Sequence, residues 1–137
     1  MGATREPPAQ KEVEVILTRH LASYLAMPVF VVDPQGNLLY YNEPAEALLG
    51  HRYQESGELT AEEWSTIWEA RTAEGQPLPP EELPLMVALN KRQPSHRHMR
   101  ITGLDGAVRN IEVTAFPLEG QGGRHLGAVA VFWETPA

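Results

Sequence analysis

The last third of the chain constrains the fold most. Residues 97–103 lead into Leu104-Asp105-Gly106, and residues 108–118 then alternate, with Ile111, Val113 and Ala115 on one side and Asn110, Glu112 and Thr114 on the other. Asp-Gly between such runs is a hairpin signal, because glycine accepts the positive φ that a tight turn requires. Glu119-Gly120-Gln121-Gly122-Gly123 makes a second flexible turn, and residues 126–133 form an apolar run of strand length. Strands joined by turns this short pair antiparallel, and the apolar face of their sheet needs a cover.

The cover has to come from upstream. In residues 11–26, Val13, Ile16, Leu17, Leu21, Tyr24 and Leu25 recur at helical spacing, with Glu12, Glu14, Thr18 and Arg19 opposite. Pro28 ends that amphipathic helix by pushing Met27 out of the helical region. Residues 1–10 carry Pro7 and Pro8 without periodicity and read as a disordered tail. Val29-Phe30-Val31-Val32, the turn Asp33-Pro34-Gln35-Gly36-Asn37, and Leu38-Leu39-Tyr40-Tyr41 read as two further strands. Asn42 can cap the helix that follows, with Pro44 in its first turn, Ala45, Leu48 and Leu49 inward, and Gly50 at its end. Thr60 and Glu63 have capping-box spacing, and Trp64 and Trp68 then share one helical face. Beyond the rigid Gly75-Gln76-Pro77-Leu78-Pro79-Pro80, a short helix over residues 81–90 carries Leu85, Met86 and Leu89 inward, with Pro84 in its first turn. The order is helix, two strands, helices, three strands. This predicts an α+β domain over residues 27–135, with a five-stranded antiparallel sheet and helices on one face.

Composition excludes several classes. A chain of 137 residues, 42% hydrophobic and 21% charged, makes one globular domain. No apolar run reaches membrane-spanning length, and the N-terminus lacks the apolar stretch of a secretory signal. There is no cysteine, so disulfides, thiolate metal sites and cysteine nucleophiles are excluded, in keeping with a cytoplasmic protein. A net charge of -7 argues against binding nucleic acid or anionic membrane. The local basic stretch Lys91-Arg92, His96-Arg97-His98 and Arg100 reads as a surface patch. No serine or threonine sits in an activating motif, and Gly120–Gly123 lacks the lysine and helix of a phosphate cradle, so no catalytic residue is assigned.

Four motifs in order resemble a PAS domain, over about residues 27–134. The first is Pro28-Val29-Phe30-Val31-Val32-Asp33-Pro34-Gln35-Gly36-Asn37 through Asn42-Glu43-Pro44-Ala45 to Leu49-Gly50. The second is Gly75-Gln76-Pro77-Leu78-Pro79-Pro80-Glu81-Glu82-Leu83-Pro84-Leu85 with Ala88-Leu89, a run similar to that before the third strand in bacterial sensor-kinase modules. Asp105-Gly106 is the third, and Ala115-Phe116-Pro117-Leu118 with Gly127-Ala128-Val129-Ala130-Val131 the fourth. The resemblance implies strand order 2-1-5-4-3, a cavity between sheet and helices, pairing with a second copy, and an output partner such as a histidine kinase or regulator. Glu134-Thr135 stands where the family often has Asp-x-Thr, with the Asp replaced and the spacing shortened.

Alternation from these motifs places Phe30, Val32, Leu39, Tyr41, Met99, Ile101, Ile111, Val113, Ala115, Val129 and Val131 inward, with Leu49, Trp64, Trp68, Leu85, Met86 and Leu89 added by the helices. These residues either line a pocket for a small apolar ligand or fill the core, and core filling is the favoured reading. Tyr41 is the inward residue with a polar tip. The flavin photosensors of the family use a cysteine, its haem proteins often a histidine on the helix before the third strand, and this chain has neither there, so no cofactor is expected. His96 and His98 share the outer face, with no carboxylate beside them in sequence, and are read as a solvated or interface pair rather than metal ligands. His20, His51 and His125 carry no spacing signal. The leading expectation is a homodimeric, non-enzymatic signalling module; the alternatives are a carrier or enzyme using the cavity, or a ligand-free adaptor.

Overall fold

The computed structural model describes residues 27–50 and 59–136. Strands β1 (Val29–Val32), β2 (Leu38–Tyr41), β3 (Ser95–Thr102), β4 (Val108–Glu119) and β5 (His125–Glu134) form one antiparallel sheet. Their spatial order is β2-β1-β5-β4-β3, the order that the resemblance implies. Helices α1 (Glu43–Leu49), α2 (Ala61–Ile67) and α3 (Pro84–Lys91) lie between β2 and β3 in sequence and cover one face. The tail over residues 1–10 and the helix expected over 11–26 lie outside the described residues.

Asn42 anchors the first half. Its Oδ1 accepts from Ala45 N at 3.2 Å and from Val29 N at 2.9 Å, while Nδ2 donates to Met27 O at 2.8 Å. The side chain is only 1% exposed, so these bonds form away from competing water. One amide thus joins the start of β1, the end of β2 and the first turn of α1. Thr60 and Glu63 make the anticipated capping box at α2, with Glu63 N on Thr60 Oγ1 at 3.2 Å and Thr60 N on Glu63 Oε1 at 2.9 Å.

The helix expected over residues 81–90 is broken in two. A 3-10 turn spans Pro80–Glu82, and α3 starts only at Pro84. Leu83 between them is extended, with φ -64° and ψ 137°, because the Pro84 ring excludes the preceding residue from the helical region. Leu85 and Leu89 still point into the core, and Met86 packs at its edge.

Two glycines allow close approach. Gly127 has φ 130°, and a Cβ there would run into the Val32 carbonyl where β5 lies against β1. Gly36, at φ 87°, sits in the β1–β2 turn, and its Cβ would come within 2.8 Å of Ala61 Cβ at the start of α2.

The register corrects three inward assignments. Phe30 pairs with Ala130 and Val32 with Ala128, so Ala128, Ala130 and Phe132 face the helices. Val129 and Val131 therefore face outward. A one-residue change of phase flips every side chain of a strand, and β5 is apolar on both faces, so its composition carries no phase. Leu39 is also outward. Phe30 pairs with Tyr41 and Val32 with Leu38, leaving Leu39 and Tyr40 opposite Val31 alone: a β-bulge. Leu38 takes the inward place that alternation assigns to Leu39.

Candidate functional site

Between the sheet and the helices lies a cavity of about 90 Å³. The sheet contributes Phe30, Met99, Ile101, Ile111 and Val113, all anticipated from alternation, together with Ala130 and Phe132 in place of Val129 and Val131. Trp64, Trp68 and Leu85 close it from the helix side, as their spacing suggests. Leu49, Ser65, Ala70, Leu83 and Pro84 complete the wall. Ala70 lies in a connection without periodicity, and Leu83 falls within the second motif but outside any helical spacing that would mark it as inward.

Other anticipated residues are in the core but not on the cavity. Val32, Tyr41, Leu89 and Ala115 belong to the packed layer around it, and Met86 to its edge. Tyr41, the expected polar tip, is fully buried with its ring stacked on Phe30 at 5.6 Å and 10°. Phe30 in turn meets Trp64 at 5.5 Å and Trp68 edge-on at 5.9 Å, an arrangement suited to the ring quadrupoles.

Both indoles are fixed through nitrogen. Trp64 Nε1 donates to Gly36 O at 2.6 Å, and Trp68 Nε1 to Leu49 O at 3.0 Å. The Leu49 carbonyl also accepts from Leu104 N at 2.9 Å, so a cavity wall residue, α1 and the β3–β4 hairpin meet at one oxygen. Gly36, which brings the first turn under Trp64, shows why the turn composition and the tryptophan belong together.

Among the described residues, none on the cavity wall carries a charge. The groups with shifted titration lie elsewhere. Asp105, at the β3–β4 hairpin, is held below the usual carboxylate range, first by the N–H of Ala107 and then by Arg109. Burial and then the nearby Arg92 lower the pKa of His125, only partly offset by Glu119.

His96 and His98 stand on the outer face. The structure brings His96 a carboxylate that lies 16 positions away in the chain: Nε2 is 2.7 Å from Glu112 Oε1, and Nδ1 is 2.7 Å from Thr114 Oγ1. Strand register supplies that pair. Among the described residues no three His, Asp or Glu side chains gather as a metal-binding set. In the basic stretch, Arg97 pairs with Glu82 at 3.6 Å and Arg100 bonds Asn110 and Ala73.

A family model described as PAS domain matches residues 26–134. The chain belongs to the PAS domain family. A search of curated proteins finds no match. Among solved structures, this PAS domain resembles that of Bordetella pertussis BvgS, with TM-score 0.67, 18% identity, and 91% of this chain and 88% of that one covered. It also resembles the PAS domain of nitrogen regulation protein NR(II) from Vibrio parahaemolyticus, with TM-score 0.62, 19% identity and coverage of 87% and 98%. A LOV protein of Rhodobacter sphaeroides gives TM-score 0.68 at 11% identity, covering 90% of this chain and 68% of that one. Identities this low establish a shared fold. The chain is a PAS sensory module, and among the described residues no helix is long and apolar enough to cross a membrane.

At the C-terminal end of this PAS domain, Thr135 N donates to Asn110 O at 2.9 Å and Thr135 Oγ1 lies 3.3 Å from the same oxygen. The shortened Glu134-Thr135 ending is therefore tied to β4.

Proposed function

We propose that this PAS module pairs with a second copy through residues 11–26 and the outer sheet face, and acts without chemistry of its own on an output partner such as a histidine kinase or regulator. We assign a small apolar ligand to its cavity and place the module in the cytoplasm. The observation that carries the pairing is on the face away from the helices. Val29, Val31 and Val129 are 2%, 0% and 4% exposed there, with Leu39, Tyr40, Leu118 and Val131 packed around them. Beside these buried valines, Phe116 on the same face of β4 is 38% exposed, which leaves apolar surface for a cover. The stripe of Val13, Ile16, Leu17, Leu21, Tyr24 and Leu25 has the matching character, and the chain reaches β1 directly after it.

The absence of enzymatic activity in this reading rests on the cavity wall. Among the described residues its one hydroxyl, on Ser65, lies 3.4 Å from the Glu62 carbonyl of its own helix, and no charged or histidine side chain shares the wall with it. The pairing is tested by carrying Leu17→Glu and Leu21→Glu together in the full chain and measuring mass in solution against concentration. The dimer should weaken at least a hundredfold. A double variant that pairs as tightly as the original chain removes the helix from the interface.

A further inference from the structure

The cavity has a narrower chemistry than its apolar lining alone implies, because the side-chain polar groups of its described wall residues are already engaged elsewhere. The two indole N–H groups are bonded to the carbonyls of Gly36 and Leu49, and the Ser65 hydroxyl turns to the carbonyl of Glu62. What the wall offers is carbon, with the sulfur of Met99 as the softest atom. A guest bearing a hydroxyl, amine or carboxylate would give up its bonds to water and find none in return.

Size narrows the class further. Sites for drug-sized ligands measure roughly 300–1,000 Å³, whereas an apolar cavity of about 150 Å³ stays dry and takes benzene or xenon. At about 90 Å³ this cavity is far below the first class and near the second. Aromatic edges and faces from Phe30, Trp64, Trp68 and Phe132 make it polarisable, which favours compact guests held by dispersion.

We propose that the cavity is an apolar receptor for a compact, uncharged molecule without hydrogen-bonding groups, of benzene's size or smaller. A small hydrocarbon, a halogenated one and a dissolved gas share that chemistry. The inference rests on reading the cavity as the module's ligand site. Entry has a place in the fold as well. A polar depression of about 220 Å³, bordered by Thr66, Glu69 and Arg71, shares Ser65 and Ala70 with the cavity. Entry where the two hollows adjoin, at these two small residues, is part of the proposal.

The test uses the full chain and nuclear magnetic resonance of the Trp64 and Trp68 indoles and the Ile111 and Val113 methyls. The probes are xenon under pressure, benzene, phenol and benzoate. Xenon and benzene should shift these signals saturably, and phenol and benzoate should bind at least tenfold more weakly than benzene. Ala130→Leu, which fills the chamber, should weaken benzene at least tenfold while the signals of the β3–β4 hairpin stay in place. Should that variant fail to fold, the xenon and phenol arms on the original chain decide the matter alone. Phenol or benzoate binding as tightly as benzene overturns the apolar-guest class and leaves the ligand site standing. Saturable shifts with none of the four probes overturn both.

Discussion

The two faces of the sheet are both apolar near β1 and β5, yet they are built differently. The inner face draws its side chains from all five strands and meets three helices, leaving a chamber ringed by aromatic groups. The outer face is apolar around Val29, Val31 and Val129 and on to Phe116 and Leu118 of β4, and turns polar toward β3, where His96 bonds Glu112 and Thr114. One face is organised to enclose volume and the other to lie against something flat.

The comparison can be broken at several points. Trp68→Ala removes an inner wall and the indole N–H donor to the Leu49 carbonyl, and should cost about 3–5 kcal/mol by chemical denaturation. A loss under about 1 kcal/mol would mean that the inner face is not closed in solution. Asn42→Ala strips the joint between the β1–β2 hairpin and α1, and about 2–3 kcal/mol should be lost in the same assay, since Val29 N–H and Met27 C=O each forfeit a buried partner. Val32→Ala on the inner face and Val31→Ala on the outer should each cost about 2 kcal/mol, both residues being fully buried. Should only the inner change register in a thermal melt, the outer valines would be open to water. His96→Ala, at the polar rim, should change stability by less than about 0.5 kcal/mol, because an exposed pair in water contributes little. A larger effect on dimer mass than on melting would extend the outer interface to the rim.

The same contrast decides what could be read in advance. Over residues 96–100 of β3 and 110–114 of β4 the outer positions are polar, so His98, Arg100, Asn110 and Glu112 mark the phase and Met99, Ile101, Ile111 and Val113 are recognised as inward. On β5 alanine and valine alternate, and both are apolar. The smaller residue faces the helices because the chamber side takes Ala128 and Ala130, a preference set by packing distance rather than by polarity. Leu39 was hidden for another reason, since a bulge has no local mark in Leu38-Leu39-Tyr40-Tyr41. Caps were legible at both Asn42 and Thr60, because their chemistry is local. Asn42's bonds to Val29 and Met27 were not, since they depend on β1 returning beside it.

The amide of Asn42 has a mechanical meaning. The chain ahead of the sheet joins it at Met27, and the Met27 carbonyl hangs on the same side chain that clamps β1 and starts α1. Tension or torque applied from the N-terminal side is therefore carried by one short lever into the hairpin and the helix together. The helix end it reaches is Leu49, the point from which Trp68 is suspended over the chamber. Asn42 and the Leu49 carbonyl thus fix α1 at its two ends, one to the entry of the sheet and the other to Trp68.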